Sequence, residues 1–251
     1  MQAAQNNDPS YPVLWLRSLA FWVVFPVSIV FMAILLLFTI PVSLAKRWAL
    51  LQRWVHFILW WLKVTCKLDH AVQGTEHITG TPGIVFSKHQ STWETIALQE
   101  IFPLQVWVAK RELMWVPFFG WGLALMKCIH IKRGTGKAAV KQLVDQGRAR
   151  LEDGTWIVIF PEGTRIPAGQ KGRYRIGGAV LAEQTGYPIV PVAHNAGEYW
   201  PRRSFIKHPG TIQVRIGQPI APDGRTAQQM LNEASGWIEE RMAEITTLTP
   251  P

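Results

Sequence analysis

The sequence predicts an α/β protein in which a largely parallel mixed sheet, covered by helices, follows apolar helices at the N-terminus. The first observation behind this prediction is a run of 28 residues without charge or histidine, from Ser18 to Ala45. The second is that, beyond about residue 77, short apolar runs alternate with stretches of helical period. The chain of 251 residues is long enough for one such domain and an accessory segment.

The apolar run from Ser18 to Ala45 predicts a membrane segment, because about 20 apolar residues are enough to cross the hydrocarbon core as a helix. A secretory signal is the alternative, since Ser43-Leu44-Ala45 resembles a cleavage site. The run is too long for the apolar region of a signal, so we predict that it is retained. Pro26 and Pro41 would kink it, which leaves a re-entrant path open beside a spanning one.

The stretch from Trp48 to Lys67 predicts an amphipathic helix with a polar stripe and an apolar face that holds Trp54 and Trp61. The stripe occupies an arc of about 100° and consists of Gln52, Arg53, His56, Lys63 and Lys67. We predict that this helix lies in the membrane interface, and an ordinary helix packed on the domain is the alternative. Residues 1–70 are thus expected to anchor an α/β domain of residues 71–251.

The charge balance is basic, with 26 Lys and Arg against 17 acidic residues and a net charge of +9. Such a balance suits nucleic acid, an anionic membrane or anionic substrates. We expect no nucleic-acid binding, because the chain has no recognisable reading motif. Only Arg17 precedes the apolar run, and five basic residues follow it, which predicts that the rest of the chain is cytoplasmic: Lys46, Arg47, Arg53, Lys63 and Lys67. Two cysteines, Cys66 and Cys128, fit a reducing compartment.

Six short apolar runs predict the strands of the sheet: Gly83–Phe86, Val106–Ala109, Cys128–Ile131, Trp156–Phe160, Ile189–Val192 and Thr211–Ile216. Four stretches between and after them predict helices: Ser91–Glu100, Lys137–Leu151, Ile176–Thr185 and Thr226–Ile245. This alternation favours parallel strands, and ligands of parallel sheets bind beyond the carboxyl ends of the strands. Two polar motifs follow strands in this way, so we expect them to share one cleft.

The first motif is His89-Gln90-Ser91-Thr92-Trp93-Glu94, in which a carboxylate follows a histidine by five positions. An imidazole oriented by an acid can take a proton from a hydroxyl near neutral pH. Glu94 also fits a helix capping box with Ser91 as the N-cap residue. The carboxylate could therefore turn toward Nδ1 of His89 or toward the N–H of Ser91, and we expect it to serve only one of them at full strength.

The second motif is Phe160-Pro161-Glu162-Gly163-Thr164-Arg165, which can form a phosphate site. Gly163 permits a tight turn with accessible N–H groups, Thr164 adds a hydroxyl, and Arg165 can bind a phosphate in a bidentate manner. The alternative is a surface turn with an internal ion pair between Glu162 and Arg165.

Two further patterns predict no site. The segment Gly134-Thr135-Gly136-Lys137-Ala138 lacks the first glycine and the Ser or Thr of a nucleotide-binding P-loop. The histidines other than His89 show no metal-ligand spacing, so we expect no bound metal.

Four blocks in order give the chain a family resemblance: His89 with Glu94, Lys110–Leu113 through Pro117–Trp121, Phe160–Arg165, and Tyr187–Val192. Together they resemble the four motif blocks of the lysophosphatidic acid acyltransferases, the 1-acylglycerol-3-phosphate acyltransferase family. The resemblance covers roughly residues 83–192, and the N-terminal segment is similar to that of bacterial members. It implies the glycerolphosphate acyltransferase-like form of the α/β fold.

The resemblance implies transfer of an acyl chain from acyl-CoA or acyl-acyl carrier protein to the sn-2 hydroxyl of lysophosphatidic acid, giving phosphatidic acid. His89 would act as general base on the hydroxyl, which attacks the thioester directly, so neither a protein nucleophile nor a cofactor is needed. The enzyme would sit on membrane lipids at the inner membrane, with its catalytic domain in the cytoplasm.

The same pattern implies that Arg165, with Lys110 and Arg133, holds the phosphate of the acceptor, and that Glu162 either binds the glycerol or shapes the turn. The family usually has Asp where this chain has Glu94. By resemblance we favour Glu94 as the group that orients His89 over Glu94 as a cap.

Two other functions stay open at this point. A related acyltransferase could act on another lysolipid, such as a lyso-ornithine lipid or a lysophospholipid. A non-catalytic membrane protein could bind anionic lipid through its charge. The joint presence of His89, Glu94 and Arg165 argues against the second, because lipid binding alone does not require them.

Overall fold

A computed structural model of the chain describes residues 9–132 and 134–248. The strands are β1 Leu68–Gln73, β2 Ile84–Ser87, β3 Gln105–Lys110, β4 Ile129–Ile131, β5 Trp156–Ile159, β6 Ile189–His194 and β7 Gly210–Ile216. The α-helices are α1 Tyr11–Leu37, α2 Leu44–Cys66, α3 Trp93–Ile101, α4 Phe119–Leu125, α5 Lys137–Glu152, α6 Gly177–Thr185, α7 Ala196–Tyr199 and α8 Ala227–Ile245. Short 3-10 helices occupy Thr75–His77 and Arg111–Trp115.

The strands form one seven-stranded sheet in the order β1-β7-β6-β2-β5-β3-β4. Strand pairs are parallel except β6 with β7, which is antiparallel. Every residue of β2, β5 and β6 is buried. Helices cover both faces of these central strands. For this reason the sequences of the strands are nearly continuous apolar runs. The predicted fold class, a largely parallel mixed sheet covered by helices, is confirmed.

The sheet includes one strand that the sequence patterns did not predict. Strand β1 pairs in parallel with β7 along its whole length, from Leu68 opposite Gly210 to Gln73 opposite Arg215. It is an edge strand with mixed burial, so its sequence carries no apolar run. The boundary expected between residues 70 and 71 therefore falls inside a strand of the sheet.

The N-terminal segment is a helical hairpin. Helix α1 is long and apolar enough to cross a membrane, and Pro26 lies inside it. The predicted segment 18–45 is not one helix, because the chain turns at residues 38–43, which include Pro41, and continues as α2. Two hydrogen bonds show that α1 and α2 are antiparallel: the Trp61 indole donates to Ala20 O at 3.3 Å, and the Trp54 indole donates to Ser28 Oγ at 3.1 Å.

Helix α2 packs on protein through its apolar face. The residues buried there are Trp48, Leu51, Val55, Ile58, Leu59, Leu62 and Cys66. Within the predicted polar stripe, Arg53, His56, Lys63 and Lys67 are exposed, and the Gln52 amide donates to Gln99 O. The indoles of Trp54 and Trp61 contact α1, so this part of the apolar face packs on protein. That the helix also lies in the membrane interface stays a prediction.

The outer face of α1 carries exposed apolar side chains: Val23, Val27, Val30, Phe31, Ile34 and Phe38. A contiguous apolar face of this kind is typical of a surface that binds a membrane or a partner. The inner face belongs to the hydrophobic core of the domain through Phe21, Phe25, Met32 and Leu36. Helix α1 is thus a part of the domain that also presents an apolar surface.

A buried lysine joins α1 to the segment between α7 and β7. The ammonium of Lys207 lies 3.9 Å from the ring centroid of Trp22, 4.7 Å from that of Trp200 and 5.1 Å from that of Phe21. Its Nζ donates to Phe205 O at 2.9 Å, and its backbone N–H donates to Ser18 Oγ at 2.9 Å. Lys207 thus packs between α1 and this segment, where the attraction of the rings for its charge does not outweigh the loss of water.

Replacing Lys207 with methionine should stabilise the fold at neutral pH and below. Burial lowers the pKa of Lys207 from 10.5 to about 7, so between these values the unfolded chain binds a proton that the folded chain does not. The stability of the wild type must then rise with pH across this window, whereas Lys207→Met lacks that dependence. We expect the advantage of the variant to be largest below pH 7 and to shrink toward pH 10.5.

Thermal unfolding of the two proteins between about pH 6 and about pH 9 measures this difference. The exposed Lys171 provides the control variant Lys171→Met, which should show no such trend. A stability difference that stays constant with pH would mean that the aromatic rings keep Lys207 charged throughout.

Candidate active site

The site is built on the carboxyl end of β2, the central buried strand. His89 follows this strand by two residues, and Arg165 follows β5, the neighbour of β2 in the sheet. Both side chains line one cavity of about 370 Å³. The structure therefore brings the two predicted motifs together, as their positions after adjacent parallel strands indicated.

Glu94 holds the His89 ring through a short hydrogen bond. Nδ1 of His89 lies 2.8 Å from Glu94 Oε1, and since a carboxylate can only accept, Nδ1 carries the proton. The ring of Phe160 stacks on the imidazole with centroids 4.0 Å apart, which fixes the ring plane. Within residues 9–132 and 134–248, Nε2 of His89 has no hydrogen-bond partner. A histidine held in this way presents a basic nitrogen to the cavity.

The same carboxylate also serves the backbone at the start of α3. Glu94 Oε1 accepts from the N–H groups of Gln90 at 3.0 Å and Ser91 at 2.8 Å, and Oε2 accepts from Ser91 at 3.0 Å. The expectation that Glu94 would serve only one of these roles is wrong. Because a carboxylate has two oxygens with about four acceptor directions, it orients the imidazole and binds the turn together.

The capping box is only half formed. Helix α3 begins at Trp93, and its N-cap position is Thr92 instead of Ser91. Ser91 Oγ accepts from the Trp93 N–H at 3.1 Å, while the reciprocal bond runs from the Ser91 N–H to Glu94. The Ser91 hydroxyl therefore binds the N–H of Trp93 and not that of Glu94, which the predicted capping box requires.

Glu94 is fully buried, yet its carboxyl stays ionised. Burial alone would raise the pKa of this carboxyl, but the hydrogen bonds from His89 and from the Ser91 N–H outweigh burial, so the pKa lies below its ordinary value. A fixed negative charge beside the imidazole stabilises the imidazolium that forms when His89 takes a proton.

His194 supports the same turn, a role that sequence reasoning missed. Its Nε2 donates to Lys88 O at 2.8 Å, and its Nδ1 accepts from the Ala196 N–H at 3.3 Å. Burial lowers the pKa of His194, so the ring is neutral and fits this donor and acceptor pattern. The position of His194 at the end of β6, beside β2 in the sheet, is the only signal that could have suggested this role.

Glu162 shapes the site from inside the protein. Its carboxylate is buried, Oε2 accepts from the His89 N–H at 2.9 Å, and Oε1 lies 2.8 Å from the ammonium of Lys88. Both oxygens face protein, so this geometry fits the turn-shaping role and not the binding of glycerol. The alternative ion pair between Glu162 and Arg165 does not form among the described residues.

The rest of the second motif faces outward. Gly163 has φ +70, which favours glycine, and a Cβ there would also displace the Arg175 side chain, whose Nε would lie 2.8 Å away. Thr164 is exposed. Arg165 lines the cavity, and its buried Nε has no hydrogen-bond partner among the residues that the structure describes. An arginine with an unused donor at the edge of a cavity suits an anionic ligand.

Arg202 lies beside Arg165 and was missed by sequence reasoning. Its Nη1 donates to Arg165 O at 3.1 Å. Burial lowers the pKa of the Arg165 guanidinium, and the charge of Arg202 lowers it further. In the described part of the chain neither arginine has an acidic side chain within ion-pair distance. Arg202 does not line the cavity, but its charge lies close to that of Arg165, which does.

Lys110 and Arg133 are the other two residues that the sequence predicts to bind the phosphate. Lys110 ends β3 and lines the cavity, with its ammonium 3.7 Å from Glu112 Oε1. Arg133 lies outside the described residues.

The deeper part of the cavity is apolar and is walled by the N-terminal hairpin. Residues of α1 contribute Phe25, Ile29, Met32, Ala33 and Leu36, and α2 contributes Leu51 and Trp54. The segment from Leu113 to Met126 adds further apolar side chains to the wall. A cavity with a few polar groups at one end and apolar walls behind them suits an amphiphilic ligand. Sequence reasoning missed this role of α1, because a helix that lines an apolar cavity and a helix that crosses a membrane have the same apolar composition.

The cysteines take no part in the site. Cys66 and Cys128 are both buried, and neither lines the cavity. Burial raises the pKa of the Cys128 thiol to about 11, which keeps it from acting as a thiolate. Within the described residues there is also no group of three or more His, Cys, Asp or Glu side chains placed to hold a metal ion.

An oriented histidine, positively charged side chains and apolar walls in one cavity suit acyl transfer to an anionic lipid. The acyltransferase family model matches residues 69–195. The chain is 47% identical over 200 residues to the 1-acyl-sn-glycerol-3-phosphate acyltransferase of Pseudomonas aeruginosa, with 78% of each chain covered. The chain belongs to the acyltransferase family.

Two more distant proteins agree with this assignment. A chloroplastic 1-acyl-sn-glycerol-3-phosphate acyltransferase of Arabidopsis thaliana is 28% identical, covering 96% of this chain and 70% of that protein. The crystal structure of PlsC, an acyltransferase from Thermotoga maritima, superposes with a TM-score of 0.78 over 94% of this chain and 97% of that one. At 21% identity the superposition shows a shared fold. The predicted acyltransferase resemblance and the enzyme class are confirmed.

Glu94→Gln should lower kcat by about 100-fold or more and leave KM nearly unchanged. Glutamine keeps one acceptor oxygen for the turn but removes the charge that stabilises the imidazolium. Steady-state acyl transfer by the purified variant measures the effect.

Glu100→Gln is a matched control on the same helix. Glu100 also contacts histidines, with Oε1 3.2 Å from His56 Nε2 and Oε2 3.5 Å from His70 Nε2, but it does not line the cavity. This variant should keep wild-type turnover. Wild-type turnover in Glu94→Gln would instead show that Glu94 only closes the turn.

Proposed function

We propose that this acyltransferase moves an acyl chain from acyl-CoA or acyl-acyl carrier protein to the sn-2 hydroxyl of lysophosphatidic acid, giving phosphatidic acid. The observation that carries the proposal is the shared cavity, in which an oriented His89, a positive mouth and an apolar depth meet. The Pseudomonas relative is a 1-acyl-sn-glycerol-3-phosphate acyltransferase, which supports the same acceptor.

His89 is the general base in this proposal. Its Nε2 takes the proton of the acceptor hydroxyl as the hydroxyl oxygen attacks the thioester carbonyl, and Glu94 stabilises the resulting imidazolium. The tetrahedral intermediate then collapses, the carbon–sulfur bond breaks, and the leaving thiolate takes the proton back from His89. The reaction ends with the ester, the free thiol and His89 in its starting form. No bond to the protein is made, so the chemistry needs no protein nucleophile, metal or cofactor.

The acceptor phosphate binds at the mouth of the cavity in this proposal. Arg165 offers a buried Nε without a partner among the described residues, and Arg202, which donates to Arg165 O, adds a second positive charge nearby. Lys110 lines the same cavity and contributes a third positive charge. Arginine side chains bind phosphate oxygens in a bidentate manner, which positions the acceptor as well as attracting it.

The acyl chain of the donor lies in the apolar depth of the cavity. The walls from α1 and from residues 113–126 exclude water from the hydrocarbon, and the thioester is then placed near His89. The exposed apolar face of α1 keeps the enzyme on the membrane that contains its substrate and product. We place the protein at the inner membrane with its catalytic domain on the cytoplasmic side, where either donor is found.

His89→Ala should abolish acyl transfer while the protein stays folded and membrane-bound. The purified full chain in detergent is assayed with radiolabelled acyl-CoA and acyl-acyl carrier protein against lysophosphatidic acid, a lyso-ornithine lipid and a lysophospholipid. His56→Ala is the control, because His56 also contacts a glutamate, Glu100, but lies outside the cavity. Transfer by the wild type only to another lysolipid would overturn the proposed acceptor, and activity in His89→Ala would overturn the proposed base.

Arg202→Ala should raise KM for lysophosphatidic acid about tenfold, the loss expected for one charged hydrogen bond, with kcat little changed. The adjacent Arg203→Ala is the matched control and should behave as the wild type. With a monoacylglycerol acceptor, which has no phosphate, Arg202→Ala and the wild type should not differ. Equal effects of the two substitutions would mean that Arg202 acts only through the general surface charge.

A further inference from the structure

A buried charge network lies directly behind the His89 turn. The Lys88 side chain is 1% exposed, and its ammonium lies 2.8 Å from Glu162 Oε1, 2.8 Å from Glu239 Oε1 and 3.4 Å from Gln170 O. An ammonium carries three N–H groups, and three oxygens surround this one. The hydroxyl of Tyr174 donates to Glu239 Oε1 at 2.7 Å. Four segments of the chain therefore meet at one lysine.

The network reaches the proposed base through Glu162. One oxygen of Glu162 faces Lys88, and the other accepts the backbone N–H of His89. An unpaired carboxylate in this buried place would be costly, so the charge of Lys88 is needed for Glu162 to hold the turn as an anion. Since Lys88 also precedes His89 in sequence, it is fixed to the turn at both ends.

Glu239 fixes the ammonium from the far side. Only 19% of its side chain is exposed. Burial and the contact with Glu239 raise the pKa of Tyr174, so Tyr174 stays a hydrogen-bond donor to this carboxylate. Glu239 thus accepts from the Lys88 ammonium and from the Tyr174 hydroxyl. Lys88 also contacts Glu162, and Tyr174 lies 12 residues after Glu162 in the chain.

Glu239 lies on α8, which follows the region matched by the family model, residues 69–195. Other contacts hold the end of this helix on the domain: the Asn195 amide donates to Ile245 O at 2.9 Å, and Thr246 Oγ1 donates to Glu198 Oε1 at 2.6 Å. A helix fixed in this way can serve as a rigid support for the side chains behind the base.

We infer that Lys88, Glu239 and Tyr174 are positioning residues for the transfer reaction, and that α8 is through them a part of the catalytic scaffold. The inference rests on the proposed role of His89. These residues do not touch the substrate. They fix the backbone of the His89 turn, and small displacements of a catalytic group slow a reaction strongly.

The test is the kinetics of Glu239→Ala in the full-length protein, with lysophosphatidic acid and acyl-CoA as substrates. We expect kcat to fall on the order of tenfold, while both KM values stay within about twofold of the wild type, because the cavity itself is unchanged. Tyr174→Phe, which removes only the hydroxyl, should lower kcat in the same sense by a smaller factor. Glu239→Gln should recover most of the lost kcat, since its amide oxygen still accepts from Lys88 and Tyr174.

Glu240→Ala is the matched control, because the adjacent Glu240 is exposed and its contact is with Arg241 on the same helix. Thermal unfolding of every variant measures the folded fraction, to which kcat is normalised. The inference is overturned if normalised kcat of Glu239→Ala equals that of the wild type, or if Glu239→Gln is as slow as Glu239→Ala. Absence of transfer in the wild type would instead contradict the proposed function.

Discussion

The structure depends on one constraint: the turn that follows β2 is buried, so its backbone polar groups need partners inside the protein. The Lys88 N–H donates to Val192 O at 3.0 Å, and Lys88 O accepts from His194. The His89 N–H donates to Glu162, and His89 O accepts from the Ile166 N–H at 2.8 Å. Two of these partners, Val192 and Glu162, belong to the sequence motifs, and His194 and Ile166 lie within two residues of a motif. Much of the motif pattern thus reflects the needs of a backbone that holds one histidine in place.

This constraint explains which parts of the site the sequence predicts. His89, Glu94 and Arg165 each follow a buried strand at the same edge of the sheet, so their meeting can be derived from parallel topology. His194 and Glu239 cannot be found in this way. Each contacts Lys88 from a position more than 100 residues away in the chain. His194 lies at the end of a strand and Glu239 lies within a helix, and neither position has a distinctive local sequence pattern. Long-range pairs between polar side chains leave no periodic signal in one sequence.

The N-terminal helices show a second limit of sequence reasoning. Apolar composition predicts that α1 avoids water, but it does not distinguish lipid from protein or from a cavity. In the structure one face of α1 is exposed and the other walls the cavity. The same ambiguity applies to α2, whose Trp54 and Trp61 contact α1. Strand β1 was missed for the opposite reason, because an edge strand with polar residues has no apolar run.

The position of α1 has a consequence for handling the enzyme. Hydrophobic leading segments are often removed to obtain a soluble fragment for crystallisation. Here such a truncation would take away Phe25, Met32 and Leu36, and with them one side of the cavity and part of the core. The remaining fragment would expose apolar side chains that the helix now covers, and aggregation would follow. A preparation that keeps α1, in detergent or in a lipid nanodisc, is therefore needed to keep this wall of the cavity.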